Sequence, residues 1–441
     1  MAHVEPVLNG IARMIARIEA LNYRCLRFVA QDLDPFHVLV GPNASGKSTF
    51  LDVFALISDL ISMGPEGAVG ERAPDFRDLI WMRQPGHFEV AVEVSIPQER
   101  REAFKNGGYS RARYEVSLGT GPEDDQPTIL GETLWLIPSA WTSNAESRDR
   151  QLFPELAIPP PTIMKTGRRG QDGWKKIVNK VAESGNDYFS SETSNWNNLF
   201  RLGPHKSALA NLPEDETKFP VATWFKELLM VGIDRLALNS ERMRQPSPPR
   251  APKVFLPDGS TLPSVVERLA SRDPGRFNDW INHVRTALPD LRTVESIERP
   301  EDRYRYLILE LQNGLRIPSW AASDGTLRLL GLTLLAYLSS VDGSVFLIEE
   351  PENGIHPRAI ESIMQSLSSV YDAQVLLATH SPVILSVAKL DQVLCFAKTS
   401  EGSTDIVRGT NHPGLKRWKG EVDLGTLFAS GVLGETPVHA S

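Results

Sequence analysis

Three observations predict an α/β fold with a parallel core sheet flanked by helices, an antiparallel subdomain beside it and a large mixed insertion. The glycine-rich stretch Gly41-Pro42-Asn43-Ala44-Ser45-Gly46-Lys47-Ser48-Thr49 follows the apolar run Phe36–Val40 and precedes a helical pattern over Phe50–Leu60. Two later runs, Val345–Ile348 and Val375–Ala378, are short and wholly apolar, as strands buried on both faces are. Between these landmarks, residues 138–252 turn to Pro, Ser, Asn, Trp and charge, a texture unlike the segments on either side.

The elements follow in order. Ile15–Leu21 and Phe36–Val40 read as two strands joined by a polar turn. Phe88–Ile96, Arg113–Leu118 and Glu132–Ile137 are apolar or alternating and rich in β-branched residues, the pattern of an antiparallel sheet. Within the insertion, helices are expected at Gly173–Ser184 and Val221–Leu236. Leu262–Ser271, Asp273–Ala287 and Thr326–Ser339 have helical spacing, and Asp273-Pro274 supplies a cap followed by proline in the first turn. Tyr304–Leu311 alternates like a strand. The domains expected are 11–137, an insertion at 138–252, a second half at 253–412 and a tail at 413–441. No heptads or internal repeats are visible.

Composition narrows the function classes. In 441 residues, 41% are hydrophobic and 23% charged, the balance of an ordinary globular protein. Cys25 and Cys395 lie far apart and form no metal-spaced pair, so both are expected as reduced thiols in a cytoplasmic protein. Arg13 and Arg17 interrupt the N-terminal apolar residues, and Leu329–Leu338 is too short to span a bilayer, so no membrane partner is expected. A net charge of −8 excludes a global basic field. Contact with DNA or RNA would need a local patch or a partner.

The glycine stretch fits the phosphate-binding loop, and its strand and helix flanks are the context that loop requires. Gly41 and Gly46 let backbone N–H groups curl round a polyphosphate, and the helix N-terminus adds partial positive charge. Lys47 has the reach for the β- and γ-phosphates, and the Ser48 hydroxyl suits Mg²⁺. The loop implies a nucleoside triphosphate with Mg²⁺ as its ligands, and the resemblance named below makes that nucleotide ATP. A second motif, Ser344-Val345-Phe346-Leu347-Ile348-Glu349-Glu350-Pro351, ends an apolar strand in two carboxylates. One suits the metal and the other can act as base for an attacking water. Ser323-Asp324-Gly325-Thr326 precedes it at a helix start, and Thr379-His380-Ser381-Pro382 follows it at the end of the next apolar run.

These four motifs, in this order, resemble the ABC-type ATPases of the RecF and SMC-like branch. Within that branch they look most like the AAA ATPases related to the OLD-family nucleases, many of them found in bacterial anti-phage systems. The resemblance covers roughly residues 11–135 and 254–412. It implies an ABC-type head that forms a homodimer or higher homo-oligomer around two ATP molecules. By this resemblance Ser323, Asp324 and Gly325 form the signature that contacts the other subunit's γ-phosphate. Glu350 is the catalytic base, His380 the switch histidine, Ser48 and Glu349 hold the metal, and Gln84 is the Q-loop glutamine. Glu349 departs from the pattern, since Asp is usual there.

OLD-type relatives carry a C-terminal TOPRIM nuclease with an Asp-x-Asp set. After His380 this sequence has no Asp-x-Asp, and Asp391, Glu401, Asp405, Glu421 and Asp423 are scattered. The expectation is an ATP hydrolase without nuclease activity of its own, serving a separately encoded, nuclease-like effector. A RecF-like repair or chromosome-maintenance ATPase shares every motif. A transporter subunit fits less well, because SDGT stands where an LSGGQ-type signature belongs. In the insertion, Arg168-Arg169, Trp174-Lys175-Lys176 and Lys180 fit either a phosphate-tracking face or a solvated helix with one buried tryptophan. Trp196, Phe200, Trp224 and Phe225 fit core and docking surface equally.

Overall fold

The computed structural model describes residues 14–104, 108–121, 125–139, 150–165, 173–181, 187–338, 344–370, 373–415, 422–431 and 433. Arg168, Arg169 and Glu421 lie outside the described residues. The central sheet has six strands in the spatial order Ile233–Leu236 (β10), Ser344–Glu349 (β14), Ala373–Thr379 (β15), Phe36–Val40 (β3), Val393–Lys398 (β16) and Thr404–Arg408 (β17). All neighbours run parallel except the β16–β17 pair. In β3 the residues alternate between two cores. Leu39 faces the helix Lys47–Gly70, while Val38 and Val40 face the helices Pro357–Ser368 and Pro382–Val387. With both faces covered, every residue of β3 is buried.

The second sheet is antiparallel with eight strands, in the order Leu26–Asp32 (β2), Ile15–Tyr23 (β1), Phe88–Ser95 (β4), Tyr109–Thr120 (β5), Pro127–Pro138 (β6), Lys175–Val181 (β7), Tyr188–Ser190 (β8) and Asn197–Leu199 (β9). Its inner face, including Ile18, Val90, Val92, Tyr114, Val116 and Leu134, packs in one cluster with Phe50, Phe54 and Ile57 of the helix Lys47–Gly70. That helix is long and apolar enough to cross a membrane by length and composition. Here it is a core helix, broken at Gly64 (φ 77) just before Pro65. The third sheet, Leu291–Glu298 (β11), Arg305–Leu311 (β12) and Arg316–Pro318 (β13), packs with the helices Leu262–Arg272 and Pro274–Ala287.

Several expectations need correction. The chain between Leu21 and Phe36 is not a polar turn, because β2 within it pairs with β1 along its length. Residues 175–181 form strand β7, not a helix, and extend the sheet through β6. Trp174 is buried against Trp135, with ring centroids 6.1 Å apart. Lys180 is 1% exposed and donates to the carbonyls of Gly203 and Lys206, and Lys175 donates to that of Glu192. These lysines hold backbone and are not a free basic face. The helix expected at Val221–Leu236 stops at Val231, and Ile233–Leu236 becomes the edge strand β10. Trp224 and Phe225 are core, whereas Trp196 is 37% exposed.

The outer face of the antiparallel sheet is charged yet buried. Arg113, 1% exposed, donates to Glu19 at 2.6 Å, Glu93 at 2.8 Å and Glu115 at 2.5 Å, and to the carbonyl of Ile163 at 3.2 Å. Segment 150–165 lies across this face. Glu89 accepts the Ile163 N–H and the Thr162 hydroxyl, and Glu115 accepts the Lys165 N–H. Three carboxylates round one guanidinium leave little room for error, because removing the cation strands like charges out of water. Arg113→Ala should destabilise the protein by about 3–5 kcal/mol, read by denaturant unfolding. A change under about 1 kcal/mol would show that the network contributes nothing.

Candidate nucleotide site

Strand β3 ends at Val40 and the helix begins at Lys47, so residues 41–46 must turn within one short loop. Neighbouring strands crowd that turn. A Cβ at Gly41 would stand 2.2 Å from the Phe396 carbonyl oxygen of β16, and one at Gly46 would stand 2.1 Å from the Thr404 hydroxyl of β17. Gly46 also has φ 103, a backbone region that L side chains rarely adopt. The Thr404 hydroxyl donates to the Ser45 carbonyl at 2.9 Å, tying the loop to β17. Lys47 folds back into the loop and donates to the carbonyls of Gly41 at 2.8 Å and Pro42 at 3.0 Å. Burial pulls its pKa down to about 8, against the opposing attraction of Glu350 and Glu349.

The carboxylate strand arrives at the same edge. β14 ends at Glu349, which accepts a hydrogen bond from the Ser48 hydroxyl at 2.5 Å and from Arg235 of β10 at 2.8 Å. A hydroxyl and a carboxylate in contact form a hard oxygen pair of the kind Mg²⁺ uses when substrate phosphates and water complete its shell. The guanidinium of Arg235 already places positive charge against Glu349, so the donor set fits a divalent ion. Ser48 and Glu349 would hold it, supplying charge neutralisation at the phosphates.

Glu350 turns away from the strand with φ 49, and its N–H donates to the Ala378 carbonyl at 2.8 Å. Its side chain accepts from Asn353 Nδ2 at 2.6 Å. His380, at the end of β15, is partly buried. Burial and the nearby Lys47 lower its pKa, while Glu350 and Glu352 act in the opposite direction. An open cavity of about 690 Å³ runs beside Glu349, Glu350 and Asn353 to Asp324 and Arg328.

Ser323 caps the helix Asp324–Leu334, accepting the Thr326 N–H at 3.2 Å. Asp324 is paired with Arg244, and both Ser323 and Asp324 are exposed. Gly325 packs against the Gly354 carbonyl so closely that a Cβ would meet it at 2.5 Å. Among the described residues, neither Ser323 nor Asp324 hydrogen-bonds to residues 41–49. Gln84 is exposed at the end of the turn Trp81–Arg83, where Met82 and Arg83 both have positive φ. Its side chain makes no described hydrogen bond to the loop.

Four contributors escaped the sequence reading: Arg235, Thr404, Asn353 and Glu352. Asn353 and Glu352 sit inside the string Glu349-Glu350-Pro351-Glu352-Asn353, where a third acid and an amide so near the carboxylates were available as a signal. Arg235 and Thr404 reach the site only through strand pairing. Of the C-terminal acids, Asp405 is committed to Arg150 and to the Glu155 N–H.

The fold is that of an ABC-type P-loop ATPase head. The SMC head bound to the C-winged helix domain of ScpA matches 89% of this chain and 97% of its own, at a TM-score of 0.51 and 12% identity. An SMC head with an extended coiled coil, bound to the C-terminal domain of ScpA and derived from Pyrococcus furiosus, covers 89% and 96% at 0.46 and 12% identity. The chain belongs to the family described as AAA domain, putative AbiEii toxin, Type IV TA system, whose model matches residues 36–386. It is also similar to the Old nuclease of Escherichia phage P2, with 22% identity over 218 residues, covering 47% of this chain and 37% of that protein. The chain therefore matches little more than a third of that relative's length.

Two outcomes follow from the loop. Gly46→Ala should weaken ATP binding about 10- to 100-fold, because backbone strain and the displaced Thr404 hydroxyl together cost about 1–3 kcal/mol. Affinity close to wild type would remove the need for this close approach. Lys47 must carry its proton to attract phosphate. With its free-state pKa at about 8, ATP affinity should be flat below that pH and fall above it, by up to about tenfold per pH unit. A fluorescent ATP analogue titrated across that range would read it, and an affinity rising with pH would contradict the assignment.

Proposed function

We propose that this chain binds ATP with Mg²⁺ at residues 41–49 and hydrolyses it between two copies of itself, as the switch for a separately encoded effector. One observation carries the reading. Lys47, Ser48, Glu349, Glu350 and His380 converge at one edge of the central sheet, while Ser323 and Asp324 stand exposed, without described hydrogen bonds to the loop of their own chain. A second copy facing this one through a two-fold interface would supply the contacts the loop lacks. In that arrangement Lys47 leaves the carbonyls of Gly41 and Pro42 for the γ-phosphate. Ser48 and Glu349 would hold Mg²⁺, which would neutralise charge at the phosphates. Glu350 takes the proton of the attacking water, and His380 orients water and phosphate. Ser323 and the backbone N–H of Gly325 come from the partner copy, and Gln84 closes toward the γ-phosphate.

Support for a nucleic-acid-linked defence role comes from the relatives' names. The family description includes a toxin and a toxin–antitoxin system, and the phage relative is called a nuclease. No nuclease chemistry is assigned to this chain. The effector would dock on the 138–252 segment.

Glu350→Gln keeps shape and removes the base, so it should bind ATP while turnover falls about 10²-fold or more. Unchanged turnover would take Glu350 out of its role. Ser323→Arg and Lys47→Ala chains, each inactive alone, should regain about one working site per heterodimer when mixed. Failure to complement, with heterodimers demonstrated, would contradict the shared site.

A further inference from the structure

Glu352 lies two residues beyond the proposed base, and its bonds point away from Glu350 toward the end of β15. One carboxylate oxygen accepts the Thr379 hydroxyl at 2.5 Å and the His380 N–H at 3.3 Å. Thr379 is fully buried, and its hydroxyl oxygen accepts the Ser381 N–H at 2.9 Å. Three consecutive residues, 379 to 381, therefore hang from one carboxylate. Among the described residues, the other oxygen of Glu352 is buried with no hydrogen-bond partner. A buried acceptor left unmade costs about 1–3 kcal/mol, so its retention asks for a reason.

We infer that Glu352 is the positioning residue for His380: it fixes the backbone at the end of β15 and so sets where the imidazole stands over the nucleotide. This rests on the reading of His380 as the switch of an ATP site. Two further observations support it. The charge of Glu352 acts on the imidazole itself, raising its proton affinity against burial and Lys47. The unpartnered oxygen leaves an acceptor unspent in the same neighbourhood. The turn 350–353 then serves both catalytic groups. Asn353 holds the Glu350 carboxylate at 2.6 Å, and Glu352 holds the segment bearing His380.

The test is a double-mutant cycle on the full chain, with kcat, KM, ATP affinity and melting temperature measured for each variant. Glu352→Ala should lower kcat about 10²-fold, as a misplaced catalytic group does, while ATP affinity stays within about twofold. Glu352→Gln keeps an acceptor for Thr379 and His380 and should restore kcat to within about tenfold of wild type. Thr379→Val, nearly isosteric, should fall between them and covers the case in which Glu352→Ala folds poorly. In a His380→Ala background, Glu352→Ala should cost less than about threefold more. An equal loss in both backgrounds would overturn the inference and leave the ATPase reading intact. So would a fall in ATP affinity or melting temperature large enough to account for the lost turnover. Wild-type kcat in His380→Ala alone would overturn both the switch role and its positioning residue.

Discussion

The parallel register of β14, β15 and β3 is the constraint from which the site follows. Thr379 lies opposite Val40, and Ala378 lies opposite Glu349, so the three strands end within one residue of one another. The next residues are Gly41, Glu350 and His380, which therefore leave the sheet side by side. In open α/β sheets ligands bind beyond the carboxyl ends of the strands, where successive loops diverge. Here the loops come from segments about three hundred residues apart in sequence. A slip of one residue in β14 would turn Val345 and Leu347 from one core to the other and carry Glu349 away from Ser48. Burial on both faces makes that slip costly, and the chemistry inherits its precision from the packing.

The short turn after β14 connects this edge to the helix that begins at Asp324. Asn353 donates to Glu350, and its carbonyl accepts from Arg328 of that helix at 3.2 Å. Gly354 receives Gly325 at a distance no side chain would permit. The proposed base and the proposed signature are thus parts of one bonded unit within a chain. In the proposed dimer, that bonding would let a change at one shared site reach the other. Segment 150–165 is bonded just as directly. It holds the charged face of the antiparallel sheet, and Arg150 bonds Asp405, next to the Thr404 that touches the phosphate loop.

Much of the fold and most of the loop were legible in the sequence, because glycine spacing and short apolar strands leave strong local signals. Other elements were hidden for physical reasons. Glu93, Arg113 and Glu115 carry charge at alternate strand positions, yet with Glu19 they form a mutually compensating ion network that lets them be buried. Lys175–Val181 carries lysines that suggested a helix face, but those ammonium groups hold backbone carbonyls and Asn179. Strand β10 was absorbed into a helix because apolar residues run the length of Val221–Leu236 and only Gly232 marks the break. Arg235 and Thr404 could not be found locally, since each meets the site through pairing partners far away in the chain.

Sedimentation velocity of the Glu350→Gln chain, with and without Mg-ATP, tests the central claim most directly. Two facing copies that trap nucleotide should double the sedimenting mass on adding Mg-ATP, with two ATP bound per dimer and no shift with ADP. A chain that stays monomeric with ATP bound, while the wild type hydrolyses ATP at a rate per molecule independent of its concentration, would contradict the account.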